Sequence, residues 1–196
     1  MKLTRLTLLE DIKNFSELYN ERLSVKSSGQ QSMSIPLEFL LKNDVYGFVD
    51  KKRKLKGGFV LSRDVEFRWK KLLEINKIDV SHRLADLKES ELFEVSCLWK
   101  SQDLGGSFGT VYFWLRTILK IQKEFKRYKY FVSGNFNSGI NKYYHLCASR
   151  IIFSGAVDIN SGPRVITVFA YNKNDLLKCF FSGLIQRFVV RKLSRG

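Results

Sequence analysis

The chain has 196 residues, of which 44% are hydrophobic, enough for one folded domain with a substantial core. With 34 Lys and Arg against 19 Asp and Glu, its formal net charge is +15 at pH 7, so we expect anionic partners such as nucleic acid, anionic lipid, acidic carrier proteins or nucleotide cofactors. Three widely spaced cysteines (Cys97, Cys147 and Cys179) and only two histidines indicate reduced thiols in a cytoplasmic protein without a metal site. No stretch reaches the roughly 18 apolar residues of a membrane span, and the first residues lack the apolar core of a signal peptide.

Hydrophobic periodicity predicts two helices and three strands in the first part of the chain. In chain order they are a strand at Lys2 to Leu9, a helix at Asp11 to Leu23, a short helix at Ile35 to Lys42, and strands at Val45 to Val49 and Gly57 to Leu61. The basic run between the last two strands is typical of a solvated hairpin tip. Ser62 to Ser90 carries a less regular pattern.

The second part of the chain alternates strands with helices. The predicted elements are a strand at Leu92 to Trp99, a helix at Val111 to Phe125, a strand at Tyr128 to Val132, a helix at Asn137 to Ala148, and strands at Ile151 to Val157 and Arg164 to Tyr171. This order predicts an α/β (α+β) fold with a mixed central sheet and helices on both faces. No linker divides the chain, so residues 1–196 are interpreted as a single domain in which 172–196 form a C-terminal helical extension.

That extension repeats apolar pairs about every four residues from Asp175 to Lys192, with basic residues between them. The pattern predicts an amphipathic, basic helix. Its apolar face is expected to pack on the sheet or on a second subunit of a homodimer. A membrane surface or an acyl carrier protein is an alternative partner, because both attract an apolar face with cationic flanks.

A glycine-rich stretch, Leu104-Gly105-Gly106-Ser107-Phe108-Gly109-Thr110, separates the predicted strand that ends at Trp99 from the helix that follows. Small residues let backbone N–H groups approach a ligand, and the N-terminus of a helix carries a partial positive charge. The stretch therefore predicts a phosphate site.

In element order and in this loop, the chain resembles the Gcn5-related N-acetyltransferase superfamily, whose pyrophosphate loop reads Arg/Gln-x-x-Gly-x-Gly/Ala. Gly105, Phe108, Gly109 and Thr110 match the pattern, whereas Leu104 replaces Arg or Gln and Ser107 replaces Gly. A second register, residues 102–107, restores the Gln and the first Gly but shifts the helix start. The resemblance implies that Leu104, Gly105, Gly106, Ser107, Phe108, Gly109 and Thr110 bind acetyl-CoA or another acyl-CoA, with no metal.

The resemblance also implies a general acid. The family's fourth helix commonly carries Asn and, seven positions later, a Tyr that protonates the departing thiolate of coenzyme A; here these are Asn137 and Tyr144. The phenol is suited to this task because its usual pKa of about 10 keeps it protonated. Tyr143 is the alternative.

The strand from Leu92 to Trp99 and the loop after it carry the remaining candidates. The general base is predicted to be Glu94, with Asp103 as second choice. Strict alternation places Leu92, Glu94, Ser96 and Leu98 on one face and Phe93, Val95, Cys97 and Trp99 on the other. The resemblance implies that backbone groups of Leu98 and Trp99 bind the acyl carbonyl.

The resemblance therefore implies an acyl-CoA-dependent N-acyltransferase, first of all an N-acetyltransferase, in which a primary amine attacks the thioester directly. Basic residues between Ser62 and Ser90, among them Arg63 and Arg68, favour an anionic acceptor. Alternatives are a non-catalytic or acyl-carrier-protein-dependent relative and, less favoured, a nucleic-acid-binding protein. The last lacks an RNP-type strand or a recognisable helix-turn-helix.

Overall fold

A computed structural model describes residues 1–26, 34–63, 67–104, 106–136, 141, 144–145, 148–159 and 162–178. Its strands are β1 (Lys2–Arg5), β2 (Asp44–Val49), β3 (Leu55–Arg63), β4 (Leu92–Lys100), β5 (Tyr130–Asn135), β6 (Arg150–Ile159) and β7 (Gly162–Tyr171). They form one seven-stranded sheet in the order β1-β2-β3-β4-β5-β7-β6. Among these described strands, β4 and β5 are parallel and every other neighbouring pair is antiparallel.

Helices cover both faces of this sheet. They are α1 (Leu9–Lys26), α2 (Leu37–Lys42), α3 (Arg68–Ile75), α4 (Ser81–Leu84) and α5 (Gly106–Glu124), with a 3-10 turn at Glu89–Glu91 and helical residues 173–178 after β7. Phe113 of α5 packs with Phe59 and Phe93 on one face. Helices α1, α2 and α3 pack on the other face, which we call the α1/α3 face. The predicted mixed sheet with helices on both faces is confirmed.

The segment from Ser62 to Ser90 is more regular than its sequence pattern suggests, because it holds the end of β3 and the helices α3 and α4. Helix α3 buries Trp69, Leu72 and Leu73, which follow helical spacing over a single turn. One turn of buried residues is too short a signal to separate from noise, and basic residues surround it.

The parallel strands β4 and β5 separate toward their C-terminal ends. They pair only over Leu92 to Glu94 and Tyr130 to Val132. Beyond Val132, β5 continues to pair with β7, while β4 continues beside β3 as far as Lys100. We call the resulting gap the wedge. Within the described residues, no strand pairs with this edge of β4 beyond Glu94.

A β-bulge in β4 lies beside the wedge. Gly58 pairs with Trp99 and Val60 with Ser96, so two residues of β4, Cys97 and Leu98, stand opposite Phe59 alone. Cys97 has a φ of 56°, in the left-handed region that non-glycine residues rarely adopt. The extra residue shifts the alternation, so that the side chains after it point to the opposite face of the sheet from the one that strict alternation would give them.

The strict alternation predicted for this strand is therefore wrong beyond Ser96. Phe93 and Val95 face α5, whereas Cys97 and Trp99 pack in the cluster formed by α1 and α2.

Candidate active site

Polar contacts with Lys56 of β3 hold the loop between β4 and α5. The Ser101 N–H donates to the Lys56 carbonyl at 2.8 Å, and the Lys56 ammonium lies 2.5 Å from a carboxylate oxygen of Asp103. This hydrogen bond lowers the pKa of Asp103. A carboxylate that is paired and stabilised in its ionised form is a weak base, which disfavours Asp103 as the general base.

Helix α5 begins at Gly106 and not at Val111, so most of the predicted loop forms the first turn of the helix. Gly105 lies outside the described residues. N–H groups in the first turn of a helix favour anions, and the phosphate site stays a prediction.

Two loop residues have roles that the pattern did not indicate. A Cβ added to Gly109 would lie 1.6 Å from the carbonyl oxygen of Leu104, so this glycine lets the loop close on the helix. Leu104, which replaces the family's Arg or Gln, is buried in the core with Phe113. Thr110 is buried as well, whereas the Phe108 side chain is 90% exposed.

Leu98 is the second residue of the bulge and Trp99 follows it, both on the stretch of β4 that borders the wedge. Leu98 is half-buried against the α5 cluster. Trp99 is buried on the opposite face, where its ring meets Phe15 of α1 edge-on with 6.0 Å between ring centroids. The two residues whose backbone was predicted to bind the acyl carbonyl thus lie at the wedge, with side chains on opposite faces.

Glu94 occupies the last paired position before the wedge opens. Its side chain is 2% exposed, and one carboxylate oxygen accepts a hydrogen bond from the Arg68 backbone N–H at 2.7 Å. Burial raises the pKa of Glu94 to about 7, although hydrogen bonds from the first N–H groups of α3 oppose that rise. A carboxyl group that titrates near neutral pH can act as a general base.

Beside Glu94 lies a cluster of three polar side chains, Arg68, Cys97 and Tyr19, which the sequence analysis did not predict. The Arg68 guanidinium contacts the Cys97 sulfur, with 3.2 Å between Nη1 and Sγ, and hydrogen-bonds to Tyr19 of α1. Burial raises the pKa of Tyr19 to about 12 and also raises that of Cys97. Both groups are therefore neutral at physiological pH, and Cys97 is not a reactive thiolate.

Tyr144 lies on the α5 face, over β7. Its half-buried ring meets Phe169 and Tyr171 edge-on, with centroid separations of 5.6 and 5.9 Å. Asn137 and Tyr143 lie outside the described residues. His145 is exposed and touches the edge of Phe169. Tyr144 thus packs in the same cluster as Leu104 and Phe113, next to β5.

Three solved structures align with this chain over most of its length. FeeM, an N-acyl amino acid synthase from uncultured soil microbes, aligns with a TM-score of 0.60 over 89% of this chain and 92% of its own, at 12% identity. MesI, a CoA-dependent acyl-homoserine lactone synthase, aligns with a TM-score of 0.54 over 92% and 94%, at 13% identity. The Salmonella typhimurium protein yncA, solved with its cofactor acetyl-CoA, aligns with a TM-score of 0.53 over 88% and 95%, at 10% identity.

The chain therefore has the fold of the Gcn5-related N-acetyltransferase superfamily. No family model and no curated protein sequence matches it. In the part of the chain that the structure describes, no helix is both long and apolar enough to span a membrane. Across the same residues, no three His, Cys, Asp or Glu side chains are grouped as metal ligands would be.

Proposed function

We propose that the chain is a cytoplasmic, single-domain acyl-CoA-dependent N-acyltransferase. The observation that carries this proposal is the wedge between β4 and β5, which opens beside the N-terminus of α5. A phosphate-bearing thioester with its phosphates at α5 can place its acyl end in the wedge, where β4 beyond Glu94 has no partner strand among the described residues. The fold supports the reaction class, since FeeM is an N-acyl amino acid synthase and MesI a CoA-dependent acyl-homoserine lactone synthase.

In the proposed reaction, the amine nitrogen attacks the thioester carbonyl, a C–N bond forms, and the C–S bond breaks. Backbone N–H groups at Leu98 and Trp99 bind the oxyanion, as donors placed where charge develops do. Glu94 accepts the proton that the amine loses. Tyr144 donates a proton to the leaving thiolate.

Several residues are assigned to the donor's phosphates. They are Leu104, Gly105, Gly106, Ser107, Phe108, Gly109 and Thr110, together with Asn137 at the start of the helix predicted from the sequence. Leu104 can contribute only backbone groups, because its side chain is in the core. Phosphate binding in this proposal therefore depends on the α5 N-terminus and on the positive charge of the chain, not on an Arg or Gln of the loop.

The experiment compares acyl-CoA with acyl-pantetheine, which has the same thioester but lacks the pyrophosphate. We expect acetyl-CoA or octanoyl-CoA to raise the melting temperature of the full chain, because a ligand of the folded state stabilises it by mass action. Acyl-pantetheine should have a much smaller effect at equal concentration. Release of free thiol on adding amines then tests the transfer. Absence of both stabilisation and transfer would overturn the proposal.

An acyl carrier protein is a second candidate donor. The largely exposed ring of Phe108 lies at the N-terminus of α5, where a carrier would approach, and carriers are acidic whereas this chain is basic. Faster transfer from acyl carrier protein than from acyl-CoA, reduced by Phe108→Ala, would favour this donor.

A further inference from the structure

The chain after β7 starts against the C-terminal half of α5. Residues 173–178 are helical, and the Gln122 side chain of α5 donates a hydrogen bond to the Lys173 carbonyl at 3.3 Å. Leu176 is buried in the hydrophobic cluster to which α5 contributes. We call residues 173–196 the tail. Of these, residues 179–196 lie outside the described part of the chain.

The sheet topology determines where a tail that follows α5 would lead. Helix α5 starts after the C-terminal end of β4, beside the wedge, and runs back to the start of β5. Strand β7 is antiparallel to β5 and ends where β5 starts, with Tyr171 opposite Phe131. The tail therefore begins at the end of α5 that is remote from the predicted phosphate site. Antiparallel packing on α5 would carry it toward that site.

Helix α5 exposes apolar side chains along the face that contacts the tail. Leu115 and Leu119 are 41% and 49% exposed. Together with Gln122 they are spaced four and three residues apart, so the three share one face of the helix. The tail continues with apolar pairs at a similar spacing: Leu176/Leu177, Phe180/Phe181 and Leu184/Ile185. These pairs can cover the exposed leucines, as the apolar stripe of an amphipathic helix does.

The predicted phosphate site has no cation within its own loop. Residues 101–110 contain no Lys or Arg, and their one charged side chain is the carboxylate of Asp103. The tail has the opposite composition, because residues 176–196 contain basic residues and no Asp or Glu. Three of these cations lie close together near its end: Arg187, Arg191 and Lys192.

The contact between Gln122 and Lys173 fixes which residues of an antiparallel pair come level. Two α-helices rise equally per residue, so each step along the tail is matched by one step back along α5. Arg187 follows Lys173 by 14 residues and Phe108 precedes Gln122 by 14, which brings Arg187 to the first turn of α5. Arg191, one turn further, comes level with the loop before α5.

We infer that the tail packs antiparallel along α5 and that Arg187, Arg191 and Lys192 bind the phosphates of the donor at the α5 N-terminus. The inference rests on the proposed function and adds to it the cations of the phosphate site. Arginine and lysine form charge-assisted hydrogen bonds with phosphate oxygens. The tail thus joins the apolar face of α5 to the donor site.

Disulfide formation tests the packing without any ligand. Leu115→Cys is combined with Phe180→Cys or with Phe181→Cys in a full-length chain that carries Cys179→Ser, and the variants are oxidised. We expect an intramolecular disulfide, identified by peptide mass spectrometry, because a disulfide needs Cα atoms within roughly 4.4–6.8 Å. Arg116→Cys, exposed on another face of α5, is the control and should not form the bond.

Two results would overturn the packing. One is the absence of a disulfide in both Leu115 variants, or equal formation in the Arg116 control. The other is a disulfide-linked dimer, which would place the tail on a second copy of the chain.

Calorimetry with octanoyl-CoA and octanoyl-pantetheine tests the phosphate contacts. Replacing Arg187, Arg191 and Lys192 together by Gln should raise the Kd for octanoyl-CoA roughly 10- to 100-fold, the range of charge-assisted hydrogen bonds. The Kd for octanoyl-pantetheine, which lacks the pyrophosphate, should stay unchanged.

A second triple variant keeps the net charge matched. It replaces three exposed cations near the other end of α5 by Gln: Lys123, Lys126 and Arg127. We expect this variant to bind octanoyl-CoA much as the wild type does. An equal loss in both triple variants would show an effect of net charge alone and would overturn the phosphate assignment.

The inference and the proposed function fail in different measurements. Absence of acyl-CoA binding and transfer in the wild type overturns the proposed function and the phosphate contacts with it, while the disulfide still decides whether the tail packs on α5. Octanoyl-CoA binding and transfer that the triple Gln variant of the tail leaves unchanged would overturn the inference alone.

Discussion

The Glu94 carboxylate accepts the backbone N–H of Arg68 at 2.7 Å, so a residue in the middle of β4 caps the start of α3. No side chain of the residue before α3 caps it. The same contact fixes Arg68 beside the bulge. A carboxyl group at the opening of the wedge therefore stabilises the start of α3.

The first prediction concerns the pH dependence of stability. Because burial raises the pKa of Glu94 to about 7, above its usual 4.5, the folded state binds this proton more tightly than the unfolded chain does. The contribution is fully present below about pH 4.5 and is lost as the pH rises through 7. In urea titrations between pH 4.5 and 7.5, the unfolding free energy of the wild type should decline more steeply than that of Glu94→Gln. Parallel curves would show that Glu94 does not titrate in this range.

The second prediction concerns the general acid. Tyr144→Phe keeps the ring contacts with Phe169 and Tyr171 but removes the hydroxyl, so turnover should fall roughly 10- to 1000-fold with little change in acyl-CoA affinity. Single-turnover rates and calorimetry measure the two effects separately. Tyr112→Phe, on the partly exposed side of α5, is the matched control and should retain full activity. A fully active Tyr144→Phe enzyme would shift the role to Tyr143 or to water.

The third prediction concerns Gly109. A methyl group there would overlap the Leu104 carbonyl, so Gly109→Ala should displace the loop, lower the unfolding free energy by about 1–3 kcal/mol and weaken acyl-CoA binding. Phe108→Ala, one position earlier and exposed, should leave the unfolding free energy within about 0.5 kcal/mol of wild type. If Gly109→Ala is as stable as wild type, the loop closes on α5 less tightly than this contact indicates.

The extent to which sequence predicts this structure differs between local and long-range features. The strand predicted at Leu92 to Trp99 corresponds to β4 (Leu92–Lys100), because its apolar pattern depends on neighbouring residues alone. The wedge depends on where β4 stops pairing with β5, and the whole of α5 lies between these two strands in the chain. The left-handed residue at Cys97 and the contact of Arg68 with Tyr19 depend on tertiary packing. No local pattern marks them.

The fourth prediction concerns an ion network that attaches the end of α5 to the sheet. The Arg63 Nε lies 2.6 Å from Glu124, and its guanidinium also pairs with Asp44. Arg63→Met removes the positive charge that pairs with the carboxylates of Glu124 and Asp44. The unfolding free energy at pH 7 should therefore fall by about 2–4 kcal/mol. Arg150→Met, which breaks an exposed pair with Asp86, should cost no more than about 1 kcal/mol.

The loss in Arg63→Met should also depend on pH. Burial alone would raise the pKa of Glu124, but hydrogen bonds from Arg63 and Lys120 lower it below its usual value. The stabilisation is therefore present above about pH 4.5 and is lost as the pH falls through the folded-state pKa. The difference between wild type and variant should shrink at pH 3. A difference that is constant with pH would mean that Arg63 acts through packing and not through charge.

The last prediction separates an acyltransferase from a nucleic-acid-binding protein by salt dependence. Several cations are paired with carboxylates in the structure and are less available to phosphates: Arg5, Lys56, Arg63, Lys70, Lys120, Lys129 and Arg150. We therefore expect few phosphate contacts, a shallow slope of log affinity against log salt, and loss of binding to duplex or tRNA near 150 mM salt, where the Debye length is about 8 Å. Fluorescence anisotropy from about 20 to 300 mM salt measures the slope. Sub-micromolar binding at physiological salt, together with no thermal response to any acyl-CoA, would replace the enzyme proposal with nucleic-acid binding.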